Sequence, residues 1–189
     1  MKRIPEIAIQ ELLLNRWSPR AMDGTALTEE ELRRLLEAAK WAPSSYNNQP
    51  WRFVYALQGD QFFAKFVDLM VPFNQSWAKN AGALFIILAR KNFEYNGKPS
   101  RTHAFDTGAA AENLALQAFA DGLVCHGMEG FDYDKAAALV GANDEYDVMA
   151  IFAVGHHAAI AVLPAELQER ETPSDRKKQV DIAFHGKLQ

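Results

Sequence analysis

Residues 41–51 read Trp41-Ala-Pro-Ser-Ser-Tyr-Asn-Asn-Gln-Pro-Trp51, and they separate a strongly periodic helical segment from a segment typical of a strand. Each proline biases the residue before it, Ala42 or Gln49, away from the helical region, so the run is expected to be an ordered loop. The composition alone also fits a solvated turn, but the flanking Trp and Pro residues fix the loop and favour a binding role. The loop would then present small, uncharged polar side chains to a ligand, namely Ser44, Ser45, Asn47, Asn48 and Gln49.

Three motifs of the chain resemble those of the FMN-dependent nitroreductase family. The run Pro43-Ser-Ser-Tyr-Asn-Asn-Gln-Pro-Trp-Arg-Phe53 is similar to the signature loop of that family. Arg16-Trp-Ser-Pro-Arg20 resembles its amino-terminal phosphate-binding run, and Gly127-Met-Glu-Gly-Phe-Asp132 resembles the segment beside the reactive edge of the flavin. The order and spacing of the three motifs agree with the family over nearly the whole chain.

Composition limits the classes of partner that we expect. The chain has 189 residues, 49% of them hydrophobic, which predicts one domain over residues 1–189 with a sizeable core. The net charge is −4 with both signs interspersed, so a nucleic-acid partner is not expected. No apolar run reaches membrane-spanning length, and the amino terminus lacks the apolar core of a signal peptide. The single cysteine, Cys125, allows no internal disulfide and favours a cytoplasmic location.

Hydrophobic periodicity and capping residues predict alternating helices and strands. Helices are expected at Ile4–Asn15, after a capping box formed by Thr28 and Glu31, and at Gly59–Met70, Phe105–Asp121 and Asp132–Val140. Strands are expected at Trp51–Leu57, Ala83–Ala89, from Leu123 onward, at Asp147–Gly155 and at Val180–Gly186. The continuously apolar segment Ala83–Ala89 is predicted to be a central strand that is buried on both faces.

The resemblance implies an α+β fold in which a mixed central sheet is flanked by helices, and two chains form an intertwined homodimer. Small residues in Phe105–Asp121 would allow a second helix to approach closely, although alanine is also simply a good helix former. Residues 164–189 are mostly polar, and we expect them to form an arm that wraps the partner. The alternating segment Val180–Gly186 is predicted to be an exchanged strand in the partner's sheet.

Arg16, Ser18 and Arg20 are candidates for a phosphate clamp, since arginine binds phosphate oxygens bidentately and keeps its charge. Two ordinary surface arginines are the alternative. The resemblance favours the clamp, includes Trp17 in it, and implies that Arg20 reaches toward flavin N1 and the C2 carbonyl. Pro173-Ser-Asp-Arg176 resembles the carboxy-terminal phosphate motif, with Ser174 where many members have lysine, so Arg176 would supply a third cation.

The resemblance also implies which residues contact the flavin ring. Asn74 would bond the pyrimidine edge, although Asn74 could instead be a helix N-cap. In the third motif the backbone N–H groups, and not the Glu129 carboxylate, would bond N5 and O4. The remaining expected cofactor contacts are Pro43, Ser44, Ser45, Asn47 and Gln49 in the loop, and Met128, Glu129 and Gly130 in the third motif.

The expected function is an FMN oxidoreductase that passes electrons from NADH or NADPH to nitroaromatic, quinone or related small-molecule acceptors by a ping-pong mechanism. The alternative is a flavin-binding or redox-sensing protein with only slow diaphorase activity. Neither function requires a catalytic side chain, since the cofactor carries the chemistry. No metal is expected, because His156 and His157 are adjacent in a predicted strand and would point to opposite faces.

Overall fold

The computed structural model describes residues 3–188, whose centre is a four-stranded sheet. Its strands are β1 (Trp51–Leu57), β2 (Ala83–Arg90), β3 (Leu123–Met128) and β4 (Tyr146–His156), in the spatial order β1-β2-β4-β3. Each neighbouring pair is antiparallel. The α+β class is confirmed, but these four strands form an antiparallel sheet where the sequence predicted a mixed one.

Seven helices accompany the sheet within residues 3–188: α1 (Glu11–Asn15), α2 (Glu29–Lys40), α3 (Phe63–Asp68), α4 (Pro72–Ala78), α5 (His103–Ala120), α6 (Tyr133–Val140) and α7 (Ala165–Gln168). Helices α2 and α5 pack on one face of the sheet. Helices α3, α4, α6 and α7 contribute to the core on the other face. Helices therefore flank both faces, as predicted.

Strand β2 is buried on both faces, as its continuous apolar sequence predicts. Leu84 and Ile86 belong to the core cluster on the side of α3 and α4. Phe85 and Ile87 belong to the cluster on the side of α2 and α5. The core clusters on the two faces of the sheet therefore both contain side chains of β2. This packing fixes the ends of the strand relative to the helices on each face.

Two helix boundaries follow the sequence signals closely. The capping box of α2 is present, because the Thr28 and Glu31 side chains each accept a hydrogen bond from the other residue's backbone N–H. Helix α5 ends before Gly122, whose φ of +76° is the left-handed conformation that glycine adopts most easily. These local interactions were sufficient to place both helices.

Two predicted helices are shorter in the structure. The segment predicted as Ile4–Asn15 is helical only from Glu11, and Ile4, Ile7 and Ile9 are exposed, so the earlier residues gain no packing energy as a helix. The segment predicted as Gly59–Met70 is helical only from Phe63 to Asp68. The Asp60 carboxylate accepts hydrogen bonds from nearby backbone N–H groups and holds the preceding residues in a turn.

The strand predicted at Val180–Gly186 is wrong for this chain. Residues Gln179–Asp181 form one 3-10 turn, and the N–H groups of Ile182 and Ala183 bond back to the Gln179 carbonyl. A strand requires a neighbouring edge with free backbone groups, and the edge predicted for this segment belongs to a second chain. The apolar side chains of the segment are exposed, including Val180 and Ile182.

None of the helices in the described part of the chain is long and apolar enough to cross a membrane.

We predict that Gly82→Ala destabilises the protein by about 1–3 kcal/mol or more, the usual cost of overpacking. A Cβ at Gly82 would lie well inside van der Waals distance of the Thr25 carbonyl oxygen, which is backbone and cannot rotate away. The control is Glu30→Ala on the exposed face of α2, since a surface substitution usually changes the stability by less than about 0.5 kcal/mol. Urea unfolding of both variants measures the difference, and equal stability would contradict this packing.

Candidate functional site

The two phosphate motifs predicted from opposite ends of the chain meet at Arg3. Its Nη1 donates hydrogen bonds to the carbonyls of Leu14 (2.9 Å) and Arg16 (2.7 Å). Its Nε donates to the carbonyl of Ser174 at 3.0 Å. One guanidinium therefore joins the Arg16–Arg20 run to the Pro173–Arg176 motif, and sequence analysis had assigned it no role.

Three guanidinium groups are concentrated at this junction, those of Arg3, Arg16 and Arg176. Partial burial and the positive charges of Arg176 and Arg16 lower the pKa of Arg3, and Asp175 opposes this effect. Arg16 also forms an ion pair with Glu112 of α5, with Nε 3.1 Å from Oε1. A cluster of like charges that repel each other is a favourable place for a phosphate dianion.

Trp17 and Ser18 lie against the body of the protein. Trp17 lines a crevice together with Phe119 and Cys125. The volume of this crevice is about 140 Å³, which is far too small for a flavin. The Ser18 carbonyl accepts a hydrogen bond from His126 Nδ1 at 2.7 Å. The Arg16–Arg20 run is therefore held to strand β3 through its backbone.

Arg20 is paired with a buried carboxylate that sequence analysis did not identify. Its Nη1 lies 3.5 Å from Glu171 Oε2, and the other carboxylate oxygen accepts the backbone N–H groups of Arg20 and Ala21. The Arg20 Nε is buried and has no hydrogen-bond partner among residues 3–188. Arg16 and Arg176 thus contact the Arg3 junction, whereas Arg20 contacts Glu171.

His126 on β3 is a third residue that sequence analysis left without a role in the site. Its ring packs against Trp77 with a centroid distance of 4.7 Å. Nδ1 faces the carbonyls of Ser18 and Pro19, so Nδ1 carries the proton. Burial, and then the nearby Arg20 charge, lower the pKa of His126, although the two carbonyls and Glu171 oppose the shift. His126 is therefore neutral at pH 7.

Asn74 and the third motif are in direct contact. Asn74 Nδ2 donates to the Gly130 carbonyl at 3.1 Å, and the Val71 N–H donates to the same oxygen at 3.0 Å. The alternative of an N-cap is wrong, because Val71 is the N-cap of α4 and Asn74 lies inside the helix. A Cβ at Gly130 would lie 2.9 Å from Asn74 Nδ2, so a glycine is needed for this contact.

The other two expected cofactor contacts in the third motif, Met128 and Glu129, differ in exposure. The Met128 side chain is buried in the core, so only its backbone is available to a ligand. Glu129 is exposed, and its carbonyl accepts the Phe131 N–H at 2.9 Å in a tight turn. Burial and the charge of Glu129 raise the pKa of Tyr133.

The signature loop has an unusual backbone. Tyr46, Asn47 and Gln49 have φ values of +52°, +53° and +49°, a region in which a residue other than glycine costs roughly 1–3 kcal/mol. Gln49 is thus outside the right-handed helical region, as expected before Pro50, but it has a positive φ. Its N–H donates to Ser44 Oγ at 3.0 Å and its side chain donates to the Asn47 carbonyl, and these bonds offset the local preference before proline.

The loop is attached to the amino-terminal end of α5 and to the segment that follows β2. The Ser45 N–H donates to the buried Asp106 carboxylate at 3.0 Å. The buried Asn48 side chain accepts the Glu94 N–H at 3.0 Å, and its Nδ2 has no partner in the described chain. Pro43, Asn47 and Gln49 are exposed, and Ser44 is half-buried. The loop thus presents most of its predicted contacts to the outside of this chain.

Helix α5 connects the two parts of the candidate site. Asp106 holds the loop, and Glu112, six residues further on, contacts Arg16. These positions are about 9 Å apart along the helix axis and about a third of a turn apart around it. The exposed side of the first half of α5 carries Phe105, which is 81% exposed, and Gly108.

Comparison with known proteins defines the class. A model of the nitroreductase family matches residues 13–69 and 57–156, which together make up more than half of the chain. The chain therefore belongs to the nitroreductase family.

Individual relatives agree with this assignment. Protein DrgA of Synechocystis is 33% identical over 156 residues, which covers 68% of this chain and 74% of DrgA. An oxygen-insensitive NADPH nitroreductase of Helicobacter pylori is 33% identical over 95 residues, half of this chain and 44% of that enzyme. A crystal structure of an oxidoreductase containing FMN superposes with a TM-score of 0.94 at 42% identity, over 99% of this chain and 96% of the other.

We predict that His126 makes the protein less stable in mild acid. Its pKa is below the ordinary value of 6.5, so as the pH falls through 6.5 the unfolded chain takes up a proton that the folded chain does not. His126→Gln should therefore lose less stability than the wild type between pH 7.5 and 5.5, by up to about 1.4 kcal/mol per pH unit. His185→Gln is the control, since His185 is exposed. Urea unfolding at the two pH values measures the effect, and an identical pH dependence in His126→Gln would contradict it.

Proposed function

We propose that the protein is an FMN-dependent oxidoreductase that transfers electrons from NADH or NADPH to nitroaromatic, quinone or related acceptors. The observation that carries this proposal is the meeting of the two phosphate motifs at Arg3. Family membership and the FMN-containing structure at 42% identity support it.

The residues of the site fit FMN at its phosphate end. Arg3, Arg16 and Arg176 form a cluster of positive charge, and Arg176 lies on an exposed segment where its guanidinium can turn to a ligand. A phosphate dianion would relieve the repulsion between these groups and accept several charge-assisted hydrogen bonds. We propose that Arg16 and Arg176 bind the phosphate and that Arg3 holds both in place.

The residues also fit the ring end of FMN. Gly130 leaves no side chain over the turn, and Asn74 is already fixed beside it. Arg20 has a buried Nε with no hydrogen-bond partner among residues 3–188, and its guanidinium would supply a positive charge to the ring edge. When bound, FMN supplies the two-electron chemistry, and the chain's groups hold the ring edge and offset its negative charge.

We propose that the site is completed by a second copy of the chain. The loop Pro43–Gln49 presents its polar groups outward, and the exposed face of α5 lies between the loop and Arg16. Packing that face on its counterpart in a homodimer would place the loop of one subunit beside the arginines of the other. The exposed apolar residues Val180, Ile182 and Phe184 would then wrap the partner.

Among residues 3–188, the site contains no side chain suited to act as a dedicated acid. Glu129 is exposed, and the neutral His126 directs its Nδ1 proton to the Ser18 carbonyl. Proton transfer would then involve water, and the two substrates would occupy the same open face in turn. We therefore propose ping-pong kinetics.

We also propose a cytoplasmic location. Cys125 is the single cysteine of the sequence and is buried. Burial raises the pKa of its thiol to about 12, so the thiol stays protonated and unreactive. A chain with one cysteine cannot form an internal disulfide, so an oxidising compartment would not stabilise it in this way.

Arg16→Ala should weaken FMN binding about tenfold to a hundredfold, because a hydrogen bond to a charged group contributes roughly 1.5–3 kcal/mol. Arg3→Ala should weaken it as well, through loss of the junction. Arg33→Ala is the control, since Arg33 is exposed on α2 and pairs with the exposed Glu29 of the same helix. Fluorescence titration of the apoprotein with FMN measures the affinities. Wild-type affinity in both Arg16→Ala and Arg20→Ala would contradict the assignment.

Glu129→Gln should keep most of its turnover, whereas Gly130→Ala should lose far more. The added Cβ would displace Asn74 from the Gly130 carbonyl and move the N–H groups of the turn. Initial rates at varied NAD(P)H and acceptor should give parallel double-reciprocal lines for the wild type. Loss of turnover in a Glu129→Gln protein that still binds FMN would show that a carboxylic acid takes part.

Deletion of residues 174–189 should produce monomers and release FMN, because the arm carries both Arg176 and the exposed apolar segment. Deletion of residues 187–189 alone should leave both properties intact and serves as the control. Size-exclusion chromatography with absorbance at the flavin wavelength measures the oligomeric state and the bound FMN in the same experiment. A longer deletion that stays dimeric and yellow would disprove the role of the arm.

A further inference from the structure

Glu171 is the most constrained carboxylate in the carboxy-terminal arm. Its side chain is only 3% exposed, although α7 and the residues around it lie at the surface. Oε1 accepts the backbone N–H groups of Arg20 and Ala21, and Oε2 lies 3.5 Å from Arg20 Nη1. All three interactions converge on one arginine and its neighbour, which are about 150 residues away in sequence.

We propose that Glu171 is a positioning residue that fixes Arg20 and limits the positive charge that Arg20 presents to the flavin. Glu171 thereby lowers the reduction potential of bound FMN. This inference rests on the proposed function, because it requires FMN beside Arg20.

The electrostatic argument follows from burial. A cation beside a flavin stabilises the reduced ring, which gains negative charge, more than the oxidised ring. A carboxylate paired with that cation cancels part of this preference. Glu171 is buried and the Arg20 side chain is 17% exposed, so water screens the pair weakly.

The geometry indicates that the pairing of Glu171 with Arg20 has a role beyond joining the carboxy-terminal arm to the Arg16–Arg20 run. Two backbone N–H groups on Oε1 are enough to fix the start of the Ala21 segment. Oε2 nevertheless faces the guanidinium and accepts no hydrogen bond from residues 3–188, and the buried Arg20 Nε has no partner among the same residues. The carboxylate therefore orients Arg20 and offsets its charge without occupying this donor.

The test is the midpoint potential of FMN bound to the holoenzyme, measured by dye-equilibrated reductive titration. Glu171→Gln keeps an oxygen that can accept both backbone N–H groups but removes the charge. It should bind reduced FMN at least tenfold more tightly, relative to oxidised FMN, than the wild type does. For a two-electron couple this is a rise of about 30 mV or more. Glu169→Gln is the matched control, since Glu169 is exposed two residues away, and its potential should not change.

A double-mutant cycle on Arg20 and Glu171 distinguishes an effect of the Glu171 charge on the FMN potential from a purely structural role. Arg20→Gln should lower the potential, and Arg20→Gln combined with Glu171→Gln should lie closer to the wild type than either single variant. A Glu171→Gln holoenzyme with an unchanged potential overturns the inference. If Glu171→Gln alone does not retain FMN, the variant that combines Arg20→Gln and Glu171→Gln provides the test. This double variant should bind FMN with a near-wild-type potential. Failure of the double variant to do so also overturns the inference. A wild-type protein that binds no FMN would instead overturn the proposed function.

Discussion

The guanidinium of Arg3 holds together segments that local sequence does not connect. It bonds carbonyls at the end of α1, in the Arg16–Arg20 run and in the carboxy-terminal motif. Charged donors form the stronger class of hydrogen bond, and three such bonds from one planar group fix the relative positions of their acceptors. The candidate phosphate site depends on this junction, because Arg16 and Arg176 would otherwise lie on unconnected ends of the chain.

The second constraint is the conformation of the signature loop. Three residues in the left-handed region store several kcal/mol, by the usual cost of about 1–3 kcal/mol each. The buried side chains of Asp106 and Asn48 each accept a backbone N–H and hold this conformation. Strain that is maintained by buried polar groups is typical of binding sites, and here it turns Asn47 and Gln49 outward.

Sequence predicted those features that local interactions determine. The bounds of β1, the capping box of α2 and the glycine after α5 all follow from patterns within a few residues. The three motifs also contain most of the candidate site residues, and the contacts of these residues with FMN stay predictions. The contacts of Arg3 with Ser174 and of Glu171 with Arg20 were missed because the residues of each pair lie 171 and 151 positions apart in sequence. No periodicity or spacing rule connects residues so far apart.

Two errors have the same physical origin. The helix predicted from Ile4 and the strand predicted at Val180–Gly186 both rest on apolar patterns, and both segments leave their apolar side chains exposed in this chain. A pattern predicts which face of a segment will be buried, but regular structure forms only where a surface covers that face. We propose that the surface is the partner subunit in both cases.

We propose that each FMN site takes its arginines from one subunit and its signature loop from the other. A mixed dimer tests it, with Arg16→Ala in one subunit and Ser45→Pro, which removes the N–H held by Asp106, in the other. Two different affinity tags allow its isolation, and FMN titration counts its sites. A shared site predicts one tight FMN per mixed dimer, because both defects fall in the same site and the other site is intact. Two weak sites, as in the separate variants, would show that each chain builds its site alone.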